Sequence, residues 1–272
     1  DSLRINNGGR YIHQTRASHA ASVAQILSRD AGTETGIFEF DVPGTTGYTI
    51  SASGRVYGSL VLSANAAGAS RTYSSSGAND FVIRGEFRLN AGVNYNVNLD
   101  GNIIVNGDFA HAGQSFNISS GGDNTVLLLK KNVFQSGNIT ETSTGFPVIE
   151  LCGGKPQQIQ VTGNIINSIG LRMNNSAGAI LQAPLSLPYK LELLNGKITT
   201  TSINLLTLSS GCMLQADSLS HASFINGPVR KEGLSSANHF LFPVGKDLHQ
   251  RWLALKNATG NFTVEYFKSN PR

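Results

Sequence analysis

The sequence predicts an all-β chain: a right-handed parallel β-helix, or solenoid, followed by a small β-sandwich-like element. Three observations carry this. Gly, Ser, Asn and Thr number 30, 29, 25 and 18, so 102 of the 272 residues favour strands and turns over helix. Apolar residues alternate with polar ones in short runs, the period of a half-buried strand. A Gly-polar-apolar triplet recurs along the chain as Gly58-Ser59-Leu60, Gly85-Glu86-Phe87, Gly101-Asn102-Ile103, Gly137-Asn138-Ile139, Gly163-Asn164-Ile165 and Gly196-Lys197-Ile198. A solenoid tolerates the uneven spacing, because each coil contacts only its neighbours and loops can vary.

Residues 1–40 read as an N-terminal capping segment. Ser18 could cap a short helix, with Val23, Ile26 and Leu27 on one face and Gly32 as its stop. Residues 41–216 read as the β-helix. Phe81, Ile83, Phe87 and Leu89 alternate with charged residues, Val93, Tyr95, Val97 and Leu99 alternate with Asn, and Leu185 to Leu193 alternate through Ser186, Pro188, Lys190 and Glu192. The run Val126–Leu129 is apolar throughout and fits a central strand. Asn106-Gly107 and Asn195-Gly196 are hairpin signals that count against a purely parallel coil. Residues 217–272 read as a C-terminal β module, because aromatic residues and Pro concentrate there. Phe240, Phe242, Trp252, Phe262 and Tyr266 are expected to form a core of their own. A lone strand pair is not stable, so this module either packs on the solenoid or continues in polypeptide beyond Arg272.

Charge excludes some functions. Charged residues are 14% of the chain, the net charge is +4, and the longest basic run is Lys130-Lys131. Nucleic-acid binders concentrate their basic residues on one face, so no nucleic-acid partner is expected. No apolar stretch reaches the length of a membrane span. The chain starts at Asp1, so either a targeting segment has been removed or this is an internal fragment. The low Lys, Cys and Met content fits an exported protein. Cys152 and Cys212 are sixty residues apart with no metal-ligand spacing; a disulfide and two buried thiols both remain open.

Many parallel β-helices cleave polysaccharides, so carboxylate clusters are the candidates for catalysis. The best is Asp100, Asp108, His111 and Asp123, near Arg84, Arg88 and Lys130 in sequence. Asp100 adjoins Gly101 and Asp108 adjoins Gly107, which points instead to turn residues accepting backbone N–H bonds. His13, His19, His239 and His249 lack metal spacing and read as surface histidines. Gly121-Gly122-Asp123-Asn124 is a single calcium-like turn without periodic Asp. Tyr48, Tyr57, Tyr73 and Tyr95 could stack sugars, but strands favour Tyr, so core or rim placement is expected. No catalytic residue, metal or cofactor is assigned.

Two stretches carry a family resemblance. Asn6-Asn7-Gly8-Gly9-Arg10-Tyr11-Ile12-His13 resembles the opening of β-solenoid segments in large secreted and surface proteins of Bacteroidota. Phe224 to Lys231, Phe240 to Lys246 and Phe262 to Phe267 resemble a module common in the same proteins. The middle of the chain matches only in style. The resemblance implies export by the type IX secretion system, a repetitive stalk, and a sorting domain in the complete protein. It also implies O-glycosylation at Asp-Ser-apolar motifs, here Ser2 and Ser218. Many members are adhesins, and no family catalytic motif is present to carry over. The sequons at Asn117, Asn138, Asn174, Asn257 and Asn261 carry little weight in a bacterium. The expected function is therefore a non-catalytic, adhesin-like stalk or passenger segment, secreted or on the outer surface of a Gram-negative cell. Its expected partners are a surface glycan or host polymer and secretion or surface-complex proteins. The competing expectation is a carbohydrate-binding or carbohydrate-cleaving β-helix.

Overall fold

A computed structural model describes residues 3–23, 28–216, 222–237, 239–247 and 249–268. The described residues are nearly all-β with almost no helix, and parallel strands stack into a β-solenoid of about nine turns. Each coil turns through three faces. The first carries Ile37–Phe40, Ser59–Leu62, Phe87–Leu89, Phe109–His111, Val133–Gln135, Gln157–Val161 and Ala179–Leu181, in that order up the stack. The second carries Tyr48–Thr49, Arg71–Gly77, Val93–Leu99, Ser115–Asn117 and Asn138–Thr140. The third carries Val56–Tyr57, Phe81–Ile83, Ile103–Val105, Val126–Leu129, Val148–Leu151 and Gly170–Asn174.

Alternation puts every second residue inside. Phe38, Leu60, Phe87, Phe109, Val133, Ile159 and Leu181 form one registered inner column, with 22 to 27 residues from one to the next. Tyr48, Tyr73, Tyr95, Phe116 and Ile139 form a second. All twelve are buried, so the tyrosines are core residues and not sugar platforms. Tyr95 and Phe116 stack with centroids 5.5 Å apart. Val126–Leu129 is a third-face strand whose Leu127 and Leu129 point inward.

The recurrent glycines sit at the corners where one face passes to the next. Gly85 donates its N–H to Gly58 O (2.8 Å), and Gly107 donates to Gly85 O (2.9 Å). A Cβ at Gly107 would overlap the Gly85 carbonyl, and one at Gly163 would overlap the Gly137 carbonyl. The triplets fall at different corners, which is why their spacing looks irregular. The hairpin signals have the same explanation. Asn106-Gly107 turns the chain from Ile103–Val105 to Phe109–His111 on another face, and Asn195-Gly196 bends the long strand Lys190–Thr199 from third face to first. Likewise the alternating run 185–193 is two strands, Leu185–Leu187 and the start of Lys190–Thr199, broken at Pro188-Tyr189.

In the capping segment a helix spans Ala20–Val23; Ile26 and Leu27 lie outside the described residues. At the other end the parallel ladder runs past residue 216. Ser223–Asn226 pairs with Gly196–Thr199, and Val229–Leu234 pairs with Leu206–Leu208. Antiparallel strands then finish the stack: Gly260–Val264 on Val229–Leu234, and Leu253–Leu255 on Phe240–Phe242. Among the described residues the separate aromatic core expected here is not found, and Trp252 is half-buried outside the common cluster. Phe242 belongs to the same buried cluster as the coils, with Phe240, Phe262 and Tyr266 packed against it. The continued ladder leaves no second interior for them to fill.

Candidate functional site

The four side chains singled out from sequence do not converge. Asp108 is half-buried at a corner, and its Oδ1 accepts the Asn132 N–H of the next coil at 3.0 Å. Asp80 does the same for Asn102 N–H at 2.9 Å. Sequence reading missed Asp80, although Asp80-Phe81 and Asp108-Phe109 are the same local signal: an acid just before an inward Phe. Asp100 is exposed, and its own N–H donates to Gly77 O. Asp123 is half-buried in a loop, where its carbonyl accepts Ser119 Oγ–H at 2.7 Å. His111 points into the coil, 1% exposed, and its Nε2 donates to Asn138 O at 2.9 Å. The basic neighbours are engaged elsewhere: Arg84 pairs with Glu34 (2.8 Å) and Arg88 with Glu86 (2.6 Å). Asp108 is therefore a coil-to-coil tie. Asp108→Ala lowers stability by about 1 kcal/mol in urea unfolding, and Asp108→Asn by less, because an amide oxygen still accepts.

Two histidines expected at the surface are buried instead: His13 is 3% and His19 5% exposed. They clamp the insertion between the first two coils. Ser51 N–H donates to His19 Nε2 (2.9 Å), so the His19 proton sits on Nδ1 and is donated to Tyr48 Oη (2.8 Å). Tyr48 in turn donates to Ala17 O (2.8 Å), and His13 Nε2 lies 2.9 Å from the same hydroxyl. Beside them Arg71 is fully buried, with Nη1 on Gly44 O at 2.7 Å and its guanidinium 5.6 Å from the Tyr73 ring centre. His239 and His249 are exposed, as expected.

Burial, with His13 adding to it, holds the His19 imidazole down to about 4. The unfolded chain, with its histidine near 6.5, then binds more protons between those values. This contribution is complete above pH 6.5 and is lost as the pH drops toward 4, by roughly 3 kcal/mol. Urea midpoints measured from pH 7 to pH 4 check this, and His19→Gln flattens the slope.

Cys152 and Cys212 are free thiols. Burial pushes Cys212 up to about 11 against the pull of Lys231, so it is not poised as a nucleophile. The Lys231 ammonium is spent on three carbonyls, Ser209, Ser210 and Cys212, at 2.6, 2.8 and 3.1 Å. Among the described residues no three His, Cys, Asp or Glu side chains gather as a metal set, the turn at 121–124 included. Among the described residues no helix is long and apolar enough to cross a membrane. Ser2 and Ser218 lie outside the described residues.

What remains is the outer surface, where the three faces differ in chemistry. The second face presents Thr49, Ser74, Asn96, Asn117 and Thr140 in one registered row and Thr72, Asn94, Ser115 and Asn138 in another, with no charge. Side-chain bonds tie neighbouring coils there, such as Asn117 Nδ2 to Thr142 Oγ1 (2.7 Å) and Asn164 Nδ2 to Asn138 Oδ1 (3.0 Å). The third face begins with half-exposed Val56, Val82, Ile104 and Leu128 and continues as a charge ladder. In that ladder Arg172 bridges Glu150 (2.9 Å) and Glu192 (2.5 Å), and Lys190 meets Glu192 at 2.6 Å. The first face carries Arg88, Ala110, Phe134 and Gln160 in register, around a cavity of about 250 Å³. No family model matches the chain, and no curated protein or solved structure matches it.

Proposed function

We propose that this chain is a non-catalytic structural module, a stalk or passenger segment, carried to the outer surface of a Gram-negative cell or secreted from it. The observation that carries this reading is the stack itself. Coil after coil pairs in register on three faces, and polar side chains such as Asp80, Asp108 and the Asn117–Thr142 pair tie one coil to the next. A stack of this kind is a rod, and a rod extends and presents. The resemblance of the Asn6–His13 and Phe224–Lys231 stretches to Bacteroidota surface proteins supplies the address, with the type IX system as the export route. The partners in this reading are secretion or surface-complex proteins and a surface glycan.

Labelling intact cells of the source bacterium with an antibody to this chain tests the address. The reading expects surface signal that disappears when the type IX translocon is deleted. Signal found only after lysis of wild-type cells contradicts it. A carbohydrate-binding reading is favoured by one specific observation, an aromatic ring left 41% exposed beside the first-face cavity at Phe134.

A further inference from the structure

The outward row of the first face explains how its cavity arises. Arg88, Ala110, Phe134 and Gln160 are cross-strand neighbours in register. Ala110 places a single methyl between two long side chains. Adjacent strands lie about 4.8 Å apart, so Arg88 and Phe134 rise from strands about 9.6 Å apart, with only a methyl between them. The result is a notch of about 250 Å³. Its walls offer unlike chemistry. Phe134 supplies an apolar ring, 41% exposed where a solvent-facing strand position would ordinarily be polar. Arg88 supplies N–H donors, but its charge is matched by Glu86 at 2.6 Å.

The rest of the lining is amide and hydroxyl. Asn90 gives one side-chain N–H to Ser63 Oγ (2.8 Å), and among the described residues its Oδ1 accepts no hydrogen bond. Gln160 and Ser136 are exposed, and among the described residues their side chains have no hydrogen-bond partner. Beneath the notch lie two inward-facing residues of the same strands, His111, 1% exposed, and Gln135, 3% exposed. Their unpaired atoms, His111 Nδ1 and Gln135 Oε1, belong to the coil interior and not to the notch surface.

A fitting ligand therefore has one apolar ring face, several hydroxyls and no net charge. We propose that this notch is a binding subsite for one neutral pyranose unit of a polysaccharide, which lies against Phe134 and is hydrogen-bonded by Gln160, Ser136 and Asn90. The proposal rests on the reading of the chain as a glycan-contacting surface module. It assigns a place on the rod where that contact is made.

Calorimetric titration of the folded chain with cellohexaose, xylohexaose, mannohexaose and laminarihexaose tests it. The expected result is a millimolar or tighter Kd, worth about −4 kcal/mol or better, for at least one of them. Phe134→Ala weakens that binding at least tenfold. Ala110→Leu fills the slot and abolishes it. Phe146→Ala, which removes another exposed ring stacked on Tyr189 well away from the notch residues, leaves it unchanged. If Ala110→Leu lowers the melting temperature, Phe134→Leu replaces it, keeping bulk and losing the ring, with the same tenfold loss expected. Binding that survives both first-face variants overturns the notch but leaves a glycan-contacting module. Absence of binding to all four sugars overturns the notch and the glycan contact together, while surface labelling of cells still decides the stalk reading.

Discussion

Phe87→Ala lowers the unfolding free energy by about 3–5 kcal/mol, the range for emptying a large aromatic site. Phe87 is fully buried at the crossing of the inner columns. Its ring meets Phe81, Tyr95, Phe109 and Phe116, with centroids 5.7 to 6.4 Å apart. These four come from three faces and two coils, so one truncation loosens the stack in every direction. The site also collapses poorly. Each neighbouring ring is held in a strand whose register is fixed above and below by backbone pairing, and large rings cannot slide into the space. Phe87→Leu, which keeps most of the bulk and loses the ring, costs about 1–2 kcal/mol. Urea unfolding followed by tryptophan and far-UV signals measures both.

Gly137→Ala lowers stability by about 3 kcal/mol, through overlap and not through a cavity. Gly137 has no positive φ, so the cost is not backbone strain. The added methyl would overlap the Gly113 carbonyl of the coil below and sit 2.7 Å from His111 Nε2. Neither neighbour can yield. The Gly113 carbonyl belongs to the corner of a packed coil, and His111 is held by its bond to Asn138 O. Gly154→Ala is the control. Nothing lies within 4 Å of the position its methyl would take, and it is neutral or slightly stabilising.

Much of this architecture was legible because its causes are local. Alternation names the inward residues of Val93–Leu99 without any knowledge of partners. Gly85, Gly107 and Asp108 announce corners, since a corner needs a residue without Cβ and a carboxylate to take a spare N–H. Features that depend on register were not legible. His13 and His19 look like surface residues until Tyr48 and Ser51, some thirty positions later, are brought against them. The outward aliphatic row Val56, Val82, Ile104 and Leu128 breaks alternation, so it reads as core. His111 groups with Asp100, Asp108 and Asp123 in sequence because no local signal shows that Leu89, His111 and Gln135 share one inward column. The notch is the clearest case. Arg88, Ala110 and Phe134 are 22 and 24 positions apart, and only the lengths of the intervening loops make them neighbours. The C-terminal aromatics mark a real change in composition, but composition cannot tell a new core from the closing strands of an old one.

The central claim is that this rod holds and presents but does not cut. The most direct measurement incubates the purified chain with a panel of plant and algal polysaccharides and follows reducing ends and unsaturated products. The account predicts no product from any of them, with Asp100→Asn and Asp108→Asn changing only the melting temperature. Product release that Asp100→Asn or Asp108→Asn abolishes, while the fold is retained, would contradict it.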